Sequence, residues 1–180
     1  MSRDELLERF SLERVGASPA TFDYDKLDWM NGVYLRGLDP VEYADRLLAH
    51  LREQGYDWPE ELVRDAAPLV QEKISRLGDF PAFAGFLFGD VEPDRGLLDP
   101  DVLESAADAL EAVEPFETEQ IEAALKSLCD RLGLKPRQAF QPIRVAVTGS
   151  KVSPGLYESL ALLGRDESLV RLRRAAAARL

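Results

Sequence analysis

Proline and aspartate cut this chain into helix-length pieces. In Asp39-Pro40-Val41-Glu42 and again at Asp99-Pro100, an aspartate can accept from the first free backbone N–H groups. The proline follows where its missing N–H costs nothing and its φ is already helical. Behind the first signal, Val41, Ala44, Leu48 and Leu51 recur at helical spacing until Gly55; behind the second come Leu103, Ala106, Leu110 and Val113. Trp58-Pro59 opens a helix through Val63 and Ala67, which Pro68 interrupts or restarts, with Val70, Ile74 and Leu77 beyond. Thr118 caps a stripe of Ile121, Leu125, Leu128 and Leu132 that stops at Gly133. Ser153-Pro154 begins a short helix ending near Gly164, and Leu169, Leu172, Ala176 and Leu180 line a last one. One apolar face per helix means buried seams, so the pattern predicts an all-α chain.

Two stretches break the pattern. Residues 89–98, with their Gly, Pro and Asp, read as a loop between two helical groups. Residues 143–148 alternate apolar and other side chains with β-branched residues, which locally suits a strand. Phe140, Ile143 and Val147 also fit a helical stripe, so local pattern leaves both open.

The residue inventory excludes most catalytic chemistry. A single histidine, His50, and a single cysteine, Cys129, leave no disulfide framework and no Cys/His zinc site. His50 reads as helix-terminal and partly exposed, and Cys129 as a small buried hydrophobe beside the Ile121/Leu125 seam. No Gly-x-Gly pair and no Gly-Lys-Ser/Thr string occurs for a nucleotide phosphate. Acid pairs such as Glu60-Glu61 sit in polar surroundings that suit a solvated surface. The least charged stretch, Phe80 to Gly89, is far shorter than the roughly 20 residues of a spanning helix. These features predict a cytoplasmic binding module with no membrane contact, no metal and no cofactor in this chain.

Charge is unevenly spread. Residues 126–180 hold eleven Lys and Arg against four acids, a net of +7, so the chain total of −11 leaves −18 on residues 1–125. A basic end on an acidic body suits a polyanion met at one region. The alternative is an arginine-rich terminal helix that neutralises the body.

Phe22, Asp23, Lys26, Leu27, Trp29, Asn31 and Gly32, within the longer string from Phe10, form one motif. Gln141 to Leu156, followed by Leu162-Leu163-Gly164, forms a second. Together they resemble the C-terminal portion of bacterial glutamyl-tRNA synthetases, class I aminoacyl-tRNA synthetases. The resemblance implies an all-α helical cage of two anticodon-binding subdomains, at 39–115 and 116–180, after a stem-contact segment at 1–38. It implies transfer RNA for glutamate as partner, a catalytic domain upstream, a monomer, and ATP with Mg for the full-length enzyme. The family's His-x-Gly-His and Lys-Met-Ser-Lys signatures are absent, and Gly149-Ser-Lys-Val-Ser only echoes the second. A competing implication is a degenerate scaffold for protein partners.

By that resemblance, Arg144, Ser153, Pro154 and Leu156 fall where the first and second anticodon bases are contacted. Lys73 falls where the family often has an arginine reading the third base, and lysine lacks the planar fork. Lys26 and Asn31 lie where the transfer RNA stem is approached; Trp29 and Tyr34 read as core or junction packing. The residues themselves allow plainer roles: a salt bridge for Arg144, helix capping for Ser153-Pro154, a solvated helix face for Lys73. The physical case for binding is a charged Arg144 in an apolar run, beside a small-residue helix start whose free N–H groups can meet a base edge or phosphate. The isolated chain is expected to show no glutamate-dependent ATP–pyrophosphate exchange. Exchange that scales with purified protein would reveal a nucleotide site overlooked here.

Overall fold

Capping aspartates start the helices as their spacing predicts. Asp39 Oδ1 accepts from Val41 N–H at 2.9 Å, Asp99 Oδ1 from Val102 N–H at 3.2 Å, and Asp23 Oδ1 from Lys26 N–H at 2.9 Å. The computed structural model describes residues 3–14, 16 and 21–178. Val15, residues 17–20 of the first motif, and Arg179 and Leu180 lie outside the described residues. Among those described there are ten α-helices and no strand. In chain order they are α1 (Arg3–Arg9), α2 (Tyr24–Arg36), α3 (Pro40–Glu53), α4 (Glu60–Gln71) and α5 (Phe80–Ala84). They continue with α6 (Pro100–Glu111), α7 (Thr118–Leu132), α8 (Pro136–Thr148), α9 (Leu156–Leu163) and α10 (Arg165–Ala177).

Several local expectations need correction. Residues 143–148 are helical, inside α8, because Ile143, Val147 and Ala139 are all fully buried on one face. Pro68 does not interrupt α4. The face made by Val63, Ala66, Ala67 and Val70 is buried, and that burial outweighs the roughly 3 kcal/mol an interior proline costs. Thr118 is the first helical residue of α7, with Glu117 at the cap position. The helix after Ser153-Pro154 begins two residues late, at Leu156. Val41 is exposed, whereas Tyr43 and Leu47, which the stripe missed, are fully buried.

Two hydrophobic cores form. The first joins Leu35 of α2 to Tyr43, Leu47, Leu51, Val63, Val70, Ile74 and Phe80. Trp58 stacks on Phe88 at its edge, with ring centroids 4.1 Å apart and planes at 5°. The second joins α6 to α10, with Leu103, Leu110, Ile121, Leu125, Leu128, Ile143, Leu160 and Leu172 fully buried. Cys129 lies in it as expected, and burial pushes its thiol pKa up. The two cores do not coincide with the subdomains expected at 39–115 and 116–180. α6 carries its buried face, Val102, Leu103, Ala106, Ala107 and Leu110, into the second core. The division between cores falls in the loop at 89–98.

Buried polar side chains join these pieces. Gln71 Nε2, at the end of α4, donates to the carbonyls of Leu35 at 2.9 Å and Leu38 at 3.0 Å, covering the C-terminal end of α2. Asn31 Nδ2 donates to the Ser75 carbonyl, and Asp28 pairs with Arg76 at 3.4 Å. A Cβ on Gly32 would lie 3.0 Å from Ser75 Oγ, so glycine allows α2 its close approach to the turn at 72–76. Arg171 of α10 is 4% exposed. Its Nη1 donates to Phe86 O at 2.9 Å and Val147 O at 2.8 Å, its Nη2 to Gly89 O at 3.0 Å, and its Nε to Glu167 at 2.7 Å.

The segment at 1–38 is lightly anchored. α1 buries no residue, and α2 buries only Gly32 and Leu35. Trp29 and Tyr34 are 64% and 67% exposed, so neither packs in a core of this chain. Arg171→Met should lower stability by about 3–5 kcal/mol, because two buried carbonyls, the Gly89 carbonyl and a partly buried carboxylate lose one shared partner. An unfolding free energy from urea titration that falls by less than a third of that would show the network is dispensable.

Candidate nucleic-acid interface

The helical state of residues 136–148 builds one polar face. Positions 137, 140, 141 and 144 follow the i, i+3, i+4, i+7 rule of a helix surface. In the structure Arg137, Phe140, Gln141 and Arg144 line one open cleft of about 380 Å³, with Lys151 from the following turn. Three cations, an aromatic ring and an amide make this a chemically distinct surface. The Phe140 ring meets Tyr157 edge-on at 5.8 Å. Burial, with Glu122 behind it, raises the Tyr157 pKa, so that ring stays a neutral phenol.

The turn after α8 positions the cleft's central arginine. Gly149 ends α8 at φ +72°, a left-handed conformation that suits glycine, and a Cβ there would also press on Val91 at 3.2 Å. Thr148 Oγ1 donates to the Arg144 carbonyl at 2.9 Å and accepts from Ser150 N–H at 3.3 Å, which shapes the turn. Arg144 Nη1 then donates to Ser153 Oγ and, at 2.6 Å, to Pro154 O. The Ser153 hydroxyl in turn donates to Pro154 O at 2.9 Å. Burial pushes the Arg144 pKa below the ordinary arginine value, while the Glu158 charge and Tyr157 oppose the shift. The group remains a cation. Among the described residues its Nε and Nη2 have no protein acceptor within hydrogen-bonding distance, so the free side of the fork faces the cleft.

The structure sorts the other sequence-derived candidates. Ser153 Oγ and Pro154 O both accept from the Arg144 guanidinium. Leu156 is 4% exposed and belongs to the second core; its side chain anchors α9 and offers no surface to a base. The start of α9 also differs from the open anion site its small residues suggest. The Glu158 carboxylate folds back against Gly155, and this negative group at a helix N-terminus favours the dipole and repels phosphate. Lys73 is exposed in the turn after α4 and does not line the Arg144 cleft. Lys26 is exposed in the first turn of α2. Asn31 donates from Nδ2 to the Ser75 carbonyl, which docks α2 on the turn at 72–76. His50 lies half-buried in the last turn of α3, as its position suggested.

Arg137, Phe140, Gln141 and Lys151 were given no role from sequence. Their signal was present as helical spacing, but it needed the helix to be settled first. The basic end also divides. Lys126, Arg165, Arg171, Arg173 and Arg174 each pair with a carboxylate, among them Glu111, Glu114 and Asp90 of the acidic body. Neutralisation is thus the role of α10. Arg131, Lys135, Arg137, Arg144 and Lys151 form no ion pair among the described residues. No cluster of three or more His, Cys, Asp or Glu side chains that could hold a metal occurs among those residues, and no helix there is long and apolar enough to cross a membrane.

An all-α chain with three unpaired cations, Arg137, Arg144 and Lys151, on one cleft is the class that fold and surface define. Residues 42–176 match the model of the anticodon binding domain, and the chain belongs to that family. It is 47% identical to a glutamate–tRNA ligase of Saccharopolyspora erythraea, over 94% of this chain and 37% of the relative. It is 46% identical to one of Acidothermus cellulolyticus, over 98% of this chain and 38% of the relative. A crystal structure of a glutamate tRNA ligase from Elizabethkingia meningosepticum shares the fold with a TM-score of 0.79 at 19% identity, covering 99% of this chain and 37% of that one. The chain therefore spans less than two-fifths of the length of the relatives it matches.

Asn31→Ala should cost about 1–2 kcal/mol, as removal of a part-buried hydrogen-bond partner does, and should loosen α2. Faster proteolysis within residues 24–36, with RNA affinity unchanged, is the outcome that checks it. Loss of RNA affinity with α2 equally protected would return Asn31 to a contact role.

Proposed function

We propose that this chain reads the anticodon of glutamate transfer RNA on behalf of a glutamate–tRNA ligase, and that activation of glutamate with ATP and Mg belongs to a catalytic domain outside these residues. The observation that carries the reading is the Arg144 guanidinium, pinned through Nη1 by Ser153 Oγ and Pro154 O with its remaining donors toward a cation-lined cleft. Sequence-specific RNA recognition targets splayed single-stranded bases through stacking and hydrogen bonds to their edges. A guanidinium already held in one orientation loses little freedom when it meets a base, and its planar fork fixes which edge fits. Phe140 supplies an apolar wall and Gln141 an amide with both donor and acceptor character. The family match and the ligase relatives support the same reading. Lys73, outside the cleft, is proposed as a weaker contact to the third base; Lys26 and Trp29, exposed on α2, suit the approach of the stem. A monomer acting in the cytoplasm completes the proposal.

Arg144→Ala should lose roughly 1–3 kcal/mol against the cognate anticodon stem-loop, the range for a specific base contact. It should lose little against a loop already changed at the contacted base. Fluorescence titration of both loops checks this, and equal weakening of the two would mark Arg144 as a phosphate or structural contact instead.

A further inference from the structure

The cations of the second half fall into two populations, and the difference is chemical. Those of α10 are consumed by carboxylates and carbonyls. Arg137 and Lys151 are exposed, form no ion pair among the described residues, and line the same cleft as Arg144. We propose that Arg137 and Lys151 clamp the phosphodiester backbone of the single strand whose base meets Arg144, so that affinity and sequence are carried by different residues of one cleft. This rests on the reading of the cleft as an anticodon site, and it adds which part of the strand each cation takes.

Geometry assigns the roles. Arg144 is fixed by two acceptors and half-buried, which suits a base edge that must be met in one plane. Arg137 and Lys151 have no such tether and can follow a flexible backbone; an ammonium in particular is a point charge with no fixed fork. Phosphate contacts position a nucleic acid, and base contacts specify it. Arg137 stands in the first turn of α8 and Lys151 just beyond its other end. Their backbones are thus separated by about 16 Å or more of helix axis, a span that a few nucleotides cross, while both side chains reach one cleft. The first turn of α8 carries no acid, unlike those of α3 and α4 with Glu42, Glu60 and Glu61, so the positive end of its dipole adds to Arg137. Glu158 covers the start of α9 on the Arg144 side, which keeps phosphate away from the base-reading arginine and leaves it to the two outer cations.

The test measures association of the 180-residue chain with two probes, the glutamate anticodon stem-loop and a base-free ribose–phosphate oligomer of loop length. Titrations run from about 50 mM to about 300 mM salt, where each phosphate neutralised on a single strand contributes about 0.7 to the slope of log K against log salt. Arg137→Gln and Lys151→Gln should each reduce that slope by about 0.7 on both probes while the preference for the cognate over an altered loop is unchanged. Arg131→Gln, an equal loss of exposed charge outside the cleft, should change the slope less than either. Matching thermal melts establish that the variants are folded. Unchanged slopes with loop preference intact overturn the clamp and leave the anticodon reading standing. A changed preference with an unchanged slope makes these residues base contacts and also overturns it. If wild type shows no loop preference, yet the base-free oligomer binds with a slope carried by Arg137 and Lys151, the clamp stands and the anticodon reading fails. Binding to neither probe overturns both.

Discussion

One buried guanidinium holds the two halves of this protein in register. Arg171 donates to carbonyls from the end of the first core, at Phe86 and Gly89, and from the C-terminal turn of α8, at Val147. The last carbonyls of a helix have no partner within it, and burial without one costs several kcal/mol in sum. Arg171 therefore makes closure of the second core conditional on the correct placement of the 85–89 segment and of α8. The cleft follows from this, because α8 carries Arg137, Phe140, Gln141 and Arg144, and the turn at its end carries Lys151 and Ser153. A hydrophobic side chain of equal volume could fill the space at Arg171 but could not set the register, since apolar contact is not directional.

The same device recurs at smaller scale where α2 meets the first core. Gln71 closes the C-terminal end of α2, and Asn31 with Gly32 docks its middle on the turn at 72–76. α2 buries only Gly32 and Leu35, and leaves Leu27, Trp29, Met30, Val33 and Tyr34 exposed. The Phe22–Gly32 motif thus has a structural explanation for its Asn-Gly pair that needs no RNA.

Electrostatics divide the chain by function more sharply than the net charges suggest. The imbalance of −18 against +7 overstates the free positive surface, since α10 spends its arginines on Glu111, Glu114, Asp90 and Glu167. The exposed pairs among these, Arg173–Glu111 and Arg174–Asp90, contribute only about 0–1 kcal/mol each. Their larger consequence is to quench α10 and the acidic body together. Arg137 and Arg144 of α8, with Lys151 after it, line one cleft and have no carboxylate bonded to them among the described residues.

Local sequence was sufficient wherever one residue decides an event along the chain: Asp39 and Asp99 at helix starts, Gly133 at a helix end, the loop at 89–98. It was insufficient wherever the deciding partner is distant. Nothing near α6 tells which core its apolar face joins, and packing on α10 places it in the second. Nothing near Arg171 separates it from Arg173 or Arg174 on the same helix. Only the carbonyls that converge on it from residues 86, 89 and 147 make it a buried staple while its neighbours stay in solvent. The site itself turned on one ambiguity. Residues 143–148 suit strand or helix by pattern, and burial of Ala139, Ile143 and Val147 against a helical core selects the helix. Sequence by itself determined the helical class and the capping aspartates Asp39 and Asp99, and it singled out Arg144, Ser153 and Pro154. Tertiary structure decided that Arg137, Phe140, Gln141 and Arg144 share a face, because a period of 3.6 aligns them and a period of 2 would have scattered them.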